Sequence, residues 1–168
     1  MKRHLFVGLT FVFPFFLLCS AILCAEAAEE KTKTRFQFSD LTVLDKETGL
    51  MWTRDANIRG KGMTRADAFK FVEQLNKKKY AGFSDWRLPQ KEELETLVNY
   101  AKAKGVKERI NELLNEMGFK NVLPGYYWSS TINASNATSG WIVQFWVGYV
   151  GIDHESSGDY VWAVRSGQ

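Results

Sequence analysis

The hydroxyls of Ser129, Ser130 and Thr131 follow Trp128, and His154 is the one histidine outside the N-terminal segment that could serve them as a base. A nucleophilic serine needs such a base held by a third group and a turn that exposes it. The G-x-S-x-G pattern is absent here, so the stretch reads as a strand of small polar residues beside a core tryptophan. Catalytic residues are expected to be none, and the chain is expected not to be an enzyme.

Asp153, Glu155 and Asp159 lie in one loop with Gly151 and Gly158. Closely spaced hard oxygen ligands are what calcium requires, which makes the loop a candidate calcium site. A solvated acidic turn explains the same residues. The only cysteines, Cys19 and Cys24, are near the N-terminus; without others, thiol oxidation chemistry and zinc sites of the Cys or Cys/His type are ruled out for the domain. No other cofactor is implied.

A third group is aromatic. Alternation puts Trp141, Val143 and Phe145 on one face of a strand and Gln144 and Trp146 on the other, and Gly148 permits a tight reversal that brings Tyr149 alongside. A ring stacks on the apolar face of a sugar while an amide bonds its hydroxyls; a second core layer under the loops would use the same rings. Lys102, Lys104, Lys107 and Arg109 cluster at the expected start of a third helix, where the dipole does not favour cations, so they face solvent or an anionic ligand.

These groups need elements to hold them. Phe36 to Leu44 and Leu50 to Arg54 read as strands either side of Asp45-Lys46-Glu47-Thr48-Gly49, a hairpin. Thr64 with Asp67 caps a helix carrying Ala68, Phe69, Val72 and Leu75 on one face, with Lys77, Lys78 and Lys79 at its end. From Tyr80 to Val98 the chain runs YAGFSDWRLPQKEELETLV: a turn, a Trp beside a guanidinium, then a helix with Pro89 in its first turn, acidic residues near its start and Leu94, Leu97, Val98 and Ala101 on one face. Asp85, Trp86 and Arg87, with Glu93 one turn on, are well placed to tie loop to helix by charged hydrogen bonds. Ile110, Leu113, Leu114 and Met117 form a third stripe closed by Gly118. Strands follow at Tyr126 to Ser130, Trp141 to Trp146, Tyr149 to Ile152 and Tyr160 to Arg165, so the class is α+β.

Residues 1–27 stand apart. Lys2 and Arg3 precede an apolar run from Leu5 to Leu23, and Ala25-Glu26-Ala27 has the small-x-small form of a signal-peptidase site. Residues 1–27 are expected to be a signal peptide, 28–35 a polar spacer and 36–168 the domain. An uncleaved anchor or lipidation at Cys19 or Cys24 is the rival, disfavoured by Pro14 in the run and by Leu18 and Leu23 before the cysteines. Charges balance closely once this segment is removed, which does not suggest a nucleic-acid partner, nor a membrane one after cleavage.

The residues GFSDWRLPQKEEL, with VLDKETGLMW upstream, Tyr127-Trp128-Ser129-Ser130-Thr131 downstream and a closing Val164-Arg165, resemble the Lcl C-terminal domain family, named after a bacterial collagen-like adhesin. The resemblance runs from about Phe36 to Arg165. It implies a C-type-lectin-like fold, with two to three helices on short antiparallel sheets, N- and C-terminal strands close together, and Trp128 and Arg165 joining Asp85, Trp86, Arg87 and Glu93 as structural residues. The calcium-lectin signatures Glu-Pro-Asn and Trp-Asn-Asp are absent. Function is expected to be recognition of a glycan or anionic polysaccharide by an exported, periplasmic or surface protein, with Trp146, Gln144, Tyr149, Lys102, Lys104, Lys107 and Arg109 as ligand-binding residues. The alternative is a protein-interaction or self-assembly module, a homo-oligomer such as the trimers the resemblance implies.

Overall fold

The computed structural model describes residues 35–167. The expected signal peptide, both cysteines and all but the last residue of the expected spacer fall outside them. Among the described residues no helix is long and apolar enough to cross a membrane.

The class is α+β. Strands β1 (Phe36–Phe38), β2 (Thr42–Asp45), β3 (Leu50–Thr53) and β7 (Val164–Ser166) form one antiparallel sheet in that order, and β4 (Tyr126–Ile132), β5 (Ser139–Gln144) and β6 (Val150–His154) form a second. Gly49, at φ +68°, closes the β2–β3 hairpin where the sequence expects it. The expected long first strand is broken at Ser39–Leu41, because the Ser39 hydroxyl and amide turn back onto Thr42. The terminal strands share a sheet but occupy its opposite edges.

Of the helices α1 (Arg65–Lys77), α2 (Lys91–Ala103) and α3 (Ile110–Met117), α2 packs on β4 and β5 and α3 on α2, while α1 shares a buried cluster with Trp128 and Ile142. The Thr64 hydroxyl accepts from the Asp67 amide and caps α1 as expected. Phe69 is a correction: it is 40% exposed, while Ala68, Val72 and Leu75 are buried, since the Arg65 guanidinium holds its ring at the surface, 5.1 Å away. Pro89 is another, because α2 begins only at Lys91 behind an N-cap at Gln90. Lys102 and Lys104 belong to the end of α2, where cations suit the dipole, and not to the start of α3.

The second sheet divides the core. Tyr127 and Val143 join Leu94, Leu97, Val98, Ile110 and Leu114 in one buried cluster; their neighbours Trp128 and Ile142 join Ala68, Val72, Leu75, Trp86 and Leu88 in the other. Adjacent strand residues point to opposite faces, so β4 and β5 serve both layers. The expected face of Trp141, Val143 and Phe145 is corrected accordingly. Trp141 is only half-buried under Lys91, whose ammonium lies 5.2 Å from its ring. Phe145 is buried but lies beyond the end of β5. The last expected strand shrinks to Val164–Ser166 because Tyr160 crosses to pair with β4 instead.

The Tyr80–Val98 stretch is the joint between the layers. The Asn76 side chain brackets Trp86, accepting from its N–H at 2.7 Å and donating to its carbonyl at 2.8 Å, and the indole N–H donates to the Tyr80 carbonyl. Arg87 exchanges main-chain bonds with Val164 and grips Glu93 with two 2.7 Å bonds, as the sequence suggests. Asp85 instead reaches Arg165, which bonds it at 2.7 and 3.1 Å and lies 4.0 Å from the Phe83 ring centre. That cation holds the Asp85 carboxyl below the usual range.

Candidate functional site

The surface with the most functional character is the β5–β6 turn. Its shape follows from α3, whose N-cap Arg109 sits at φ 61° and caps no amide with its side chain, which pairs with Glu112 at 3.7 Å instead. The first amides of a helix need acceptors. Here the turn provides them: Ile110 N–H donates to the Trp146 carbonyl at 3.2 Å and Asn111 N–H to that of Phe145 at 2.8 Å. Phe145 is fully buried, edge-on to Tyr127 with ring centres 5.2 Å apart. Gly148, at φ +68°, presses so closely on α2 that a Cβ there would stand 2.3 Å from Val98 Cγ1. Glycine is required on both counts.

This clamped turn presents Trp146 half-buried, Val147 exposed and Tyr149 54% exposed. Tyr149 lies over Gly151, where a Cβ would meet its ring at 2.5 Å. Arg109 stands 5.9 Å from the centre of the Trp146 ring, and Lys102 Nζ donates to the Gly148 carbonyl at 3.3 Å. Four of the expected ligand residues, Trp146, Tyr149, Lys102 and Arg109, are therefore gathered at one place. Gln144 ends β5 beside them, and its main-chain N–H donates to the Tyr149 carbonyl. Trp146 does not share a strand face with Gln144, because the strand has ended and alternation no longer applies. Lys104 lies over Tyr100 instead, 5.6 Å from its ring centre, and Lys107 is exposed in the α2–α3 connection.

Asp153 Oδ1 accepts from the Ser157 hydroxyl and the His154 amide, Glu155 is exposed, and Asp159 is 5% exposed with Oδ2 unbonded. Among the described residues no three His, Cys, Asp or Glu side chains are grouped as metal ligands. Burial and the neighbouring Asp153 charge push the Asp159 carboxyl up to about 6. The serines are also occupied: Ser129 donates to the Trp141 carbonyl, Ser130 to that of Pro89, and His154 Nδ1 pairs with Ser156.

The chain matches the family model of the Lcl C-terminal domain over residues 41–165. It belongs to that family. No match was found among curated proteins. In this Lcl C-terminal domain the quoted motif residues Asp85, Trp86, Arg87, Glu93 and Arg165 are taken up in joining the layers, which leaves the β5–β6 turn free for another role.

Sequence reasoning passed over the concave surface beside α1. A cleft of about 480 Å³ beside α1 is lined by Arg59, Lys61, Lys70, Met63, Phe71 and Gln74 among others. Asp67 in its wall is ion-paired with Lys70 at 3.1 Å, which holds its carboxyl below the usual range. Arg59 and Lys61 lie in a loop and Lys70 on a helix, so neither periodicity nor spacing connects them; only the excess of cations around Gly60 hints at the cleft.

Proposed function

We propose that this chain is an exported, non-catalytic recognition module that binds a glycan or similar surface polymer at the Trp146–Tyr149 turn. The observation that carries the reading is the aromatic pair held on a rigid turn beside Arg109 and Lys102. Rings clamped before binding lose little entropy when a sugar stacks on them, and a nearby guanidinium or ammonium bonds hydroxyls or acidic groups. Quenching of the turn by its own hydrogen bonds to α3 means that the patch is ready-made.

A glycan-array screen of the protein, followed by titration of each hit against Trp146→Ala, tests this. Loss of the ring removes a stacking contact worth about 1–3 kcal/mol by the usual scale of such truncations, so binding should weaken about 5- to 150-fold with the unfolding midpoint little changed. Retained affinity in a folded variant refutes the assignment of the site.

A further inference from the structure

The sheet edges at β4, β6 and β7 are not treated alike. On the outer side of β4, Trp128 N–H donates to the Tyr160 carbonyl, Tyr160 N–H to that of Tyr126, and Ser130 N–H to that of Pro89. On the outer side of β7, Val164 and Arg87 exchange both main-chain bonds. Strand β6 is the other edge of the second sheet. Its inner bonds are fixed by Gln144 N–H to the Tyr149 carbonyl at 2.8 Å and Glu155 N–H to that of Thr138 at 2.9 Å. Antiparallel ladders alternate, so the odd-numbered residues of β6 face β5, and the main-chain groups of Val150, Ile152 and His154 point outward. His154 N–H is taken by Asp153 Oδ1. Among the described residues nothing covers the N–H and C=O groups of Val150 and Ile152. Ile152 itself is 52% exposed.

Bare strand edges are ordinarily blunted by lysine, proline, a bulge or a covering loop. Here β4 and β7 are covered, while β6 has no lysine, proline or covering loop within Val150–His154, and its one charged residue, Asp153, shields only the His154 N–H. We propose that β6 is the seam of a two-fold dimer, pairing antiparallel about Ile152 with the same strand of a second copy. In that register Ile152 exchanges both main-chain bonds with its own counterpart, and Val150 N–H donates to the carbonyl of His154 of the partner subunit. The Ile152 side chains meet at the axis and leave water together. Charge is complementary along the seam: the hairpin end carries Lys102, bonded to the Gly148 carbonyl, and the opposite end carries the exposed Glu155. Antiparallel pairing sets each lysine end against the acidic end of its partner. The contact is isologous, and so closes at two copies.

Hydrogen exchange and sedimentation of the full chain across a dilution series test the proposal. The mass should double with concentration, and the amides of Val150 and Ile152 should gain protection in step, while those of Gly151 and Asp153, already bonded to β5, stay constant. Ile152→Pro removes an outward N–H that β5 does not use, a position where an edge strand tolerates proline; it should abolish the dimer and leave Gly151 protection unchanged. Should that variant fail to fold, Ile152→Lys keeps the N–H, sets like charges at the axis, and should shift the dimer midpoint at least tenfold to higher concentration. A chain that sediments as one copy at every concentration overturns the proposal. So does assembly without protection at Val150 and Ile152, which puts the contact elsewhere, or protection in a single copy at all dilutions, which means that another segment or peptide covers the edge. None of these readouts depends on glycan binding.

Discussion

Asp159 is the buried group whose ionisation should be felt most in the stability of the domain. Its main chain is stitched to Met63 by bonds of 2.9 and 3.2 Å in each direction, so the side chain has little freedom to swing into water, and its Oδ2 has no partner. The carboxyl is raised from 3.8 to about 6. In the unfolded chain it ionises near pH 4; in the folded chain it holds its proton to about pH 6. Below pH 3.8 both states are protonated and the stability is at its full value; as the pH rises from 3.8 through 6 the unfolded chain ionises first and that stability is lost. The difference, at 1.36 kcal/mol per pH unit, amounts to about 3 kcal/mol at pH 7. Asp159→Asn keeps the shape and removes the charge, at the cost of an amide N–H in need of a partner, about 1–3 kcal/mol. The absolute gain at pH 7 is therefore small, and the informative quantity is its change with pH. Urea unfolding of both proteins from pH 4 to pH 7, with chelator present so that no bound cation masks the charge, should show the variant gaining about 2.4 kcal/mol relative to wild type across that range. The Asp85–Arg165 pair is common to both proteins and cancels. Stability curves that run parallel in pH would refute the reasoning.

Trp86→Ala should cost about 3–5 kcal/mol, the usual loss for a buried aromatic, because its ring is 2% exposed and its indole N–H is bonded; an unchanged urea midpoint would show that the joint does not depend on it. Gly148→Ala forces a Cβ to within 2.3 Å of Val98 Cγ1 at a positive φ, so it should destabilise by about 1–3 kcal/mol and shift the emission of Trp146 as the turn moves. Its glycan affinity should fall with that shift; full stability together with an unmoved spectrum would contradict the clamped turn.

Much of the architecture is written locally. The cap at Thr64, the stripes of α2 and α3, Gly49 and Gly118 follow from capping, periodicity and backbone freedom, which neighbouring residues decide between themselves. The Arg87–Glu93 grip is equally local, one turn of chain from loop to helix. Phe69 and Trp141 were misplaced for a shared reason: an apolar residue announces that it seeks cover, and a strand or helix period then assigns it a face, but a cation from elsewhere can hold the ring at the surface, as Arg65 and Lys91 do; Trp146 lost its shared face with Gln144 because β5 ends there. The pairing of Asp85 with Arg165 spans 80 residues and has no local signal.

The sequence by itself determined the family, the α+β class, and the presence of rings and cations between Lys102 and Tyr149. Tertiary structure alone decided which of them meet. Lys102 and Arg109 reach the turn, while Lys104 and Lys107 do not, because α3 docks its unsatisfied amides on the carbonyls of Phe145 and Trp146. The same holds for the bare edge of β6: which of its amides face outward depends on its register with β5, and that register is set by the clamped turn and not by the strand's own residues.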